Sequence, residues 1–210
     1  MLFTMKASRG LMIGLLLFPV VLSPLATERG QAAVAVSEED YSLYDRVIED
    51  KFLTSQIQLV LLERMTVSRL MPQQDGSVTM DIFHQHGYFD GVLPQDLVRD
   101  FVGANQTPTR LEDRFQFGVR YRFVSERMDE DSEAGAVLLA VNNSAVPVQA
   151  PAVLDRLAFS RVGRTLKNDQ ALVYVENRRR DGTGAGFLVW FRRQGQEWEL
   201  FDTDLVWTMR

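Results

Sequence analysis

The last third of the chain constrains the fold most. Three apolar-rich stretches, Gln170 to Glu176, Gly186 to Arg192 and Glu197 to Thr208, follow one another at hairpin spacing. Asp181-Gly182 and Gln194-Gly195 stand at the two connections, where glycine reaches positive φ at little steric cost. The spacing predicts a β-meander. Its first two strands are apolar on both faces: Ala171, Val173 and Val175 alternate with Leu172 and Tyr174, and Phe187, Val189 and Phe191 with Leu188 and Trp190. A strand of this kind is either covered on both sides, or covered on one and left to line a cavity or an interface on the other.

The rest of the chain supplies helices to do the covering. Ser37 is placed to cap a helix whose first turn carries Glu38, Glu39 and Asp40, where acids complement the helix dipole. Tyr41, Tyr44, Val47, Ile48 and Phe52 then recur at helical spacing, predicting a helix to about Lys51. Pro94 opens a second helix over 94–104, with Leu97, Val98, Phe101 and Val102 on one face. Residues 57–67 and 117–124 read as strands. Residues 72–92 read as a loop with a short strand at 78–83, because Pro72, Asp75-Gly76, Gly87 and Asp90-Gly91 interrupt them. Residues 127–135 read as a solvated acidic turn, 136–150 as irregular, and 151–159 as a short helical piece. The expected fold is α+β: an antiparallel, curved sheet ending in the meander, packed against an N-terminal helix and a second helix.

Lys6 and Arg9 precede a charge-free run from Leu11 to Leu22, and Ala33-Val34-Ala35 offers small residues for cleavage. This is the layout of a secretion signal over residues 1–35, leaving one domain over 36–210. The apolar run is shorter than the ~20 residues a spanning helix needs, and it contains Pro19. The expected location is therefore periplasmic or secreted, with no stable membrane anchor after cleavage. The chain has no cysteine, which excludes disulfides, thiolate metal ligands and a lipid anchor on a cleavage-site cysteine. Without the leader the chain keeps 20 basic and 27 acidic residues, a net charge of −7. Such a domain lacks the cationic footprint that nucleic acid or an anionic membrane selects, so no nucleic-acid partner is expected.

Residues 160–207 carry the pattern Ser160-Arg161-Val162-Gly163, Gln170-Ala171-Leu172-Val173-Tyr174-Val175, Gly184-Ala185-Gly186, Gly195 with Trp198, and Trp207. Over this quarter of the chain it resembles a type of exported bacterial protein, which implies export but no catalytic residues; Arg164 departs from that pattern, where an aromatic is expected. More loosely, a leading helix followed by long antiparallel strands resembles NTF2-like and cystatin-like α+β folds. The NTF2-like resemblance implies a small-molecule pocket on the concave face of the sheet.

Three groups of residues are candidate sites. Tyr174, Trp190 and Trp198, with Arg161, would line a pocket on the sheet; the competing reading makes the aromatics core. Arg178, Arg179, Arg180, Arg192 and Arg193 would form a basic tip for an anion or an acidic partner if they converge; the competing reading is edge protection. Asp81, His84 and His86 would share a strand face and bind a metal; the competing reading is a solvated loop. Ser160 lacks a neighbouring base in sequence, and Asp181 to Gly186 lacks the lysine and the helix of a phosphate loop. No cofactor is indicated. The leading functional reading is a non-enzymatic binding or interaction domain, its partner a protein or a small molecule. Behind it stand an NTF2-like small-molecule binder or enzyme, and a metal-dependent hydrolase.

Overall fold

The computed structural model describes residues 35–124, 152–179 and 181–210. These belong to one compact unit spanning Ala33–Arg210. The expectations for the leader, for the acidic turn at 127–135, for 136–150 and for Arg180 lie outside the described residues.

The first helix, α1, spans Glu38–Lys51 and starts as its sequence dictates. Ser37 Oγ accepts from the Asp40 amide while Asp40 Oδ2 accepts from the Ser37 amide, a reciprocal cap that satisfies two otherwise orphaned donors. The strand β1 spans Ile57–Glu63. Two helices follow, α2 at Met80–His86 and α3 at Gln95–Ala104, joined through a 3-10 turn at Tyr88–Gly91. The remaining strands are β2 (Arg120–Val124), β3 (Ala152–Phe159), the two-residue β4 (Gly163–Arg164), β5 (Gln170–Arg178), β6 (Gly184–Gln194) and β7 (Glu197–Met209). The seven strands make one sheet in the order β2-β1-β3-β5-β6-β7, with β4 paired to β5.

The fold is α+β with a curved sheet, and the meander β5–β6–β7 stands where the sequence places it. Register shifts between Gly186 and Phe187 and between Trp190 and Phe191 mark irregularities of the kind that bend a sheet. Three expectations are corrected. The sheet is mixed: β1 pairs in parallel with both β2 and β3. Residues 152–159 form a strand, not a helical piece. A segment this short gains little from helical propensity, and the slot between β1 and β5 offers ladder partners on both edges. Residues 80–86 form a helix, where a strand at 78–83 is expected. Gly87 ends it with φ 59 and ψ 36, the left-handed cap that glycine adopts without penalty.

Both faces of the sheet are covered. On one face, α1 and the segment 111–117 pack Tyr44, Val47, Ile48 and Phe115 against Val60, Leu62, Phe159, Val173, Val189 and Phe191. On the other, α2, the 3-10 turn and α3 pack Phe83, Phe89, Leu97 and Phe101 against Leu172, Tyr174, Leu188 and Trp190. The two-sided apolar pattern of β5 and β6 thus resolves as two cores, one per face. Among the described residues no helix is long and apolar enough to cross a membrane.

Candidate ligand-binding site

The α2–α3 layer stops short of one end of the sheet. There a cavity of about 480 Å³ is lined by the ends of β1, β2, β3 and β5 and by the segment that follows β1. This volume falls within the range of small-molecule sites.

One wall is residues 64–69, of which the sequence places 64–67 in a continuing strand. They leave the sheet after Glu63, yet the backbone remains tied. The Arg64 amide donates to Val124 O, and Arg64 O accepts from the Leu111 amide. Thr66 N donates to Thr109 O, Val67 N to Phe159 O, and Val78 N to Ser68 O. Thr66 Oγ1 accepts from the Thr109 amide at 2.8 Å. A wall held at this many points does not have to be ordered when a ligand arrives, which favours binding.

The floor comes from β5. Glu176 is fully buried. Its Oε2 accepts from Arg178 Nη2 at 2.6 Å and Nε at 2.8 Å, and its Oε1 lies 3.1 Å from the Tyr174 hydroxyl. That hydroxyl also lies 2.6 Å from Leu70 O and accepts from Trp207 Nε1 at 2.6 Å. Burial, with Glu176 beside it, pushes the Tyr174 hydroxyl far up, so it remains protonated and a donor. The chain from Trp207 through Tyr174 to Glu176 and Arg178 fixes the floor against the loop that carries Arg69. Across the cavity Arg156 pairs with Glu63 at 3.1 Å.

Part of the pattern at 160–207 surrounds Tyr174, while Val162, Ala171, Val173, Val175 and Trp198 belong to the α1 core. Ser160 Oγ accepts from the Tyr174 amide at 2.8 Å and donates to Arg161 O at 2.9 Å. A side chain on Gly163 would overlap Phe101 of α3, and one on Gly186 would overlap the Trp207 indole and the Tyr174 hydroxyl. Ser160, Gly186 and Trp207 thus seat one buried tyrosine. Ser160 takes the structural role.

The sequence-predicted sites fare differently. Tyr174 and Trp190 lie in the core under α2 and α3, whereas Trp198 packs with the α1 core, so the three do not line one pocket. The reason is the strand period: both sheet faces are filled by helices, and these aromatics fall on opposite faces. Arg161 is held through its backbone by Asn105, and its side chain does not line the cavity. The arginines do not converge as one tip. Antiparallel pairing sets Arg178 opposite Gly184 and Arg192 opposite Gln170, ends of the hairpin separated by about 26 Å at ~3.3 Å per residue. Arg193 lies 3.4 Å from Glu39, and Arg192 sits 3.3 Å over the Phe201 ring. Arg179 is exposed. Only Arg178 belongs to the cavity.

Asp81, His84 and His86 are exposed on α2. On a helix, residues two apart diverge by about 200°, so the two imidazoles do not share a face, and His86 instead stacks on Tyr88 with ring centroids 5.4 Å apart. Among the described residues no three histidine or acidic side chains are grouped to hold a metal ion.

Sequence reasoning missed Glu63, Arg64, Arg69, Arg156 and Glu176 as site residues. A signal existed in Glu176, a carboxylate closing an otherwise apolar strand. Comparison of the chain with protein-family models, with curated proteins and with solved structures finds no match to any of them.

Proposed function

We propose that the chain is exported through the leader at residues 1–35 and that the domain which follows binds a small molecule in the cavity at the end of the sheet. One observation carries the binding reading. The molecule fills both sheet faces with apolar core, yet keeps a cavity of about 480 Å³ with ion pairs on its floor and far side and a hydrogen-bonded wall. Stability alone gives no reason to gather charged groups around an open space, since desolvating ions is costly. A binding site does, because such groups orient a ligand. The reading agrees with a binding domain rather than a metal-dependent hydrolase, whose proposed ligands lie on α2 away from the cavity.

The test is a thermal-shift screen of the purified protein against a small-molecule library, repeated on Met65→Trp. Met65 is half-exposed and lines the cavity, so a bulky replacement obstructs the site without entering either core. Hits are expected to raise the melting temperature of the parent and to lose that effect in the variant. A screen without hits, or hits indifferent to Met65→Trp, would overturn the reading. N-terminal sequencing of the mature protein is expected to start near Val36; an intact Met1 would remove export from the proposal.

A further inference from the structure

On that reading, we infer that the ligand is an organic acid with an apolar body, its carboxylate or phosphate-monoester head held by Arg69. In the cavity lining four arginines face two glutamates, a local excess of two positive charges in a chain whose net charge is −5. Arg156 is taken up by Glu63, and Arg178 by Glu176. Arg64 lies with its guanidinium 4.0 Å over the Phe123 ring. Arg69 is left. It has neither carboxylate nor ring partner among the described residues, and its Nε is shielded from solvent with nothing to donate to.

A shielded guanidinium nitrogen without an acceptor is unfavourable, because it has lost water and gained nothing. An oxyacid head group supplies what is missing. Its paired oxygens match the fork of a guanidinium, and the charge-assisted bonds they make are the strong ones. The neighbouring residue holds Arg69 in place. The Leu70 amide donates to Gln74 Oε1 at 2.9 Å and Leu70 O lies 2.6 Å from the Tyr174 hydroxyl, so the backbone beside Arg69 is fixed to the floor.

The remaining lining specifies the body of the ligand. Met65, Val67, Pro108, Val124 and Ala158 offer apolar surface, beside the two hydroxyls of Thr66 and Ser68, of which Thr66 Oγ1 is engaged by the Thr109 amide. Glu63 and Glu176 face the same space, which disfavours a polyanion such as a nucleoside triphosphate. A single acidic head with a hydrocarbon body satisfies Arg69 and the apolar wall together.

The experiment titrates four eight-carbon probes into the purified protein by calorimetry: octanoate, octyl phosphate, octanol and octylammonium. Each is repeated on Arg69→Gln and Arg69→Lys, with the melting temperature of each variant as the control for folding. One or both acids are expected to bind at least about tenfold more tightly than octanol or octylammonium. Arg69→Gln is expected to remove that preference while leaving octanol affinity unchanged, and Arg69→Lys to retain part of it. The ratio of octanoate to octyl phosphate identifies the head group. Octanol binding as tightly as the acids, or acid affinity indifferent to Arg69→Gln, overturns the inference yet leaves the binding reading standing. No binding by any of the four also overturns it, and the binding reading then rests on the wider screen.

Discussion

Among the described residues each face of the sheet buries six aromatic side chains, but to different ends. On the α1 face, Tyr44, Phe115 and Phe159 form a continuous ring cluster, with centroids 4.9 Å apart for Tyr44 and Phe159 and 6.1 Å for Tyr44 and Phe115. The buried Tyr44 hydroxyl is satisfied there: it donates to Ser160 O at 2.9 Å. On the α2–α3 face the aromatic core gives way, along β5, from Leu172 to Tyr174 to Glu176, and the cavity begins where the apolar side chains end. One face is spent on stability, and the other is half core and half site. Position along β5, more than composition, separates the two.

The comparison is tested most severely at Phe159. It is fully buried and central to the α1 cluster. Phe159→Ala is expected to cost about 3–5 kcal/mol, through lost transfer free energy and the cavity left behind. Urea denaturation followed by circular dichroism measures it. A loss below about 2 kcal/mol would show that the α1 face is not the main source of stability.

The next effect belongs to the other face. Gly186 lies against Trp207 and Tyr174 with no room for a methyl group. Gly186→Ala is expected to cost about 2 kcal/mol by overpacking, and to alter tryptophan fluorescence as the bond from Trp207 Nε1 to the Tyr174 hydroxyl opens. Because that hydroxyl also lies against Leu70 O and Glu176, ligand affinity is expected to fall more than stability predicts. If stability and fluorescence both stay unchanged, the Tyr174 network does not hold the floor.

These two positions also show how far the sequence could be read. Alternation in β5 and β6 demanded cover on both faces, and the cap of α1 with the apolar spacing of α1 and α3 supplied helices to provide it. The meander, its turns at Gly182 and Gly195 and the α+β class follow from that. The parallel pairing of β1 with β2 and β3 does not, because side-chain period is the same in either direction and only tertiary contacts choose between them. The strand at 152–159 was hidden for a like reason: a run of its length is ambiguous until its neighbours are known. The site was least legible of all. Arg69 and Glu176 are more than one hundred residues apart, and neither lies in a local motif. They line one cavity only because the 64–69 segment is tied back across the end of the sheet. The residues that did attract notice, the histidines and the arginine runs, were conspicuous in composition but were dispersed by helix geometry and antiparallel pairing.

The smallest effect sharpens the comparison from the α1 side. Asp45 of α1 is half-buried; its Oδ2 accepts from the Gln116 amide at 2.9 Å, while its Oδ1 is shielded and without a partner. Burial raises its pKa from 3.8 to about 6, the Gln116 hydrogen bond opposing and Glu49 adding to the rise. The folded protein therefore holds this proton over a range where the unfolded chain has released it. Stability from this group is fully present below pH 3.8 and is lost as pH rises to about 6. Asp45→Asn keeps an oxygen for Gln116 and removes the charge. It is expected to stabilise the protein by about 1 kcal/mol at pH 7.5, once solvent screening of a half-exposed carboxyl is allowed for, and by nothing measurable at pH 3.5. Urea midpoints at the two pH values decide it. Equal effects at both would show that the unpartnered oxygen, rather than the ionised charge, is what this otherwise apolar face fails to accommodate.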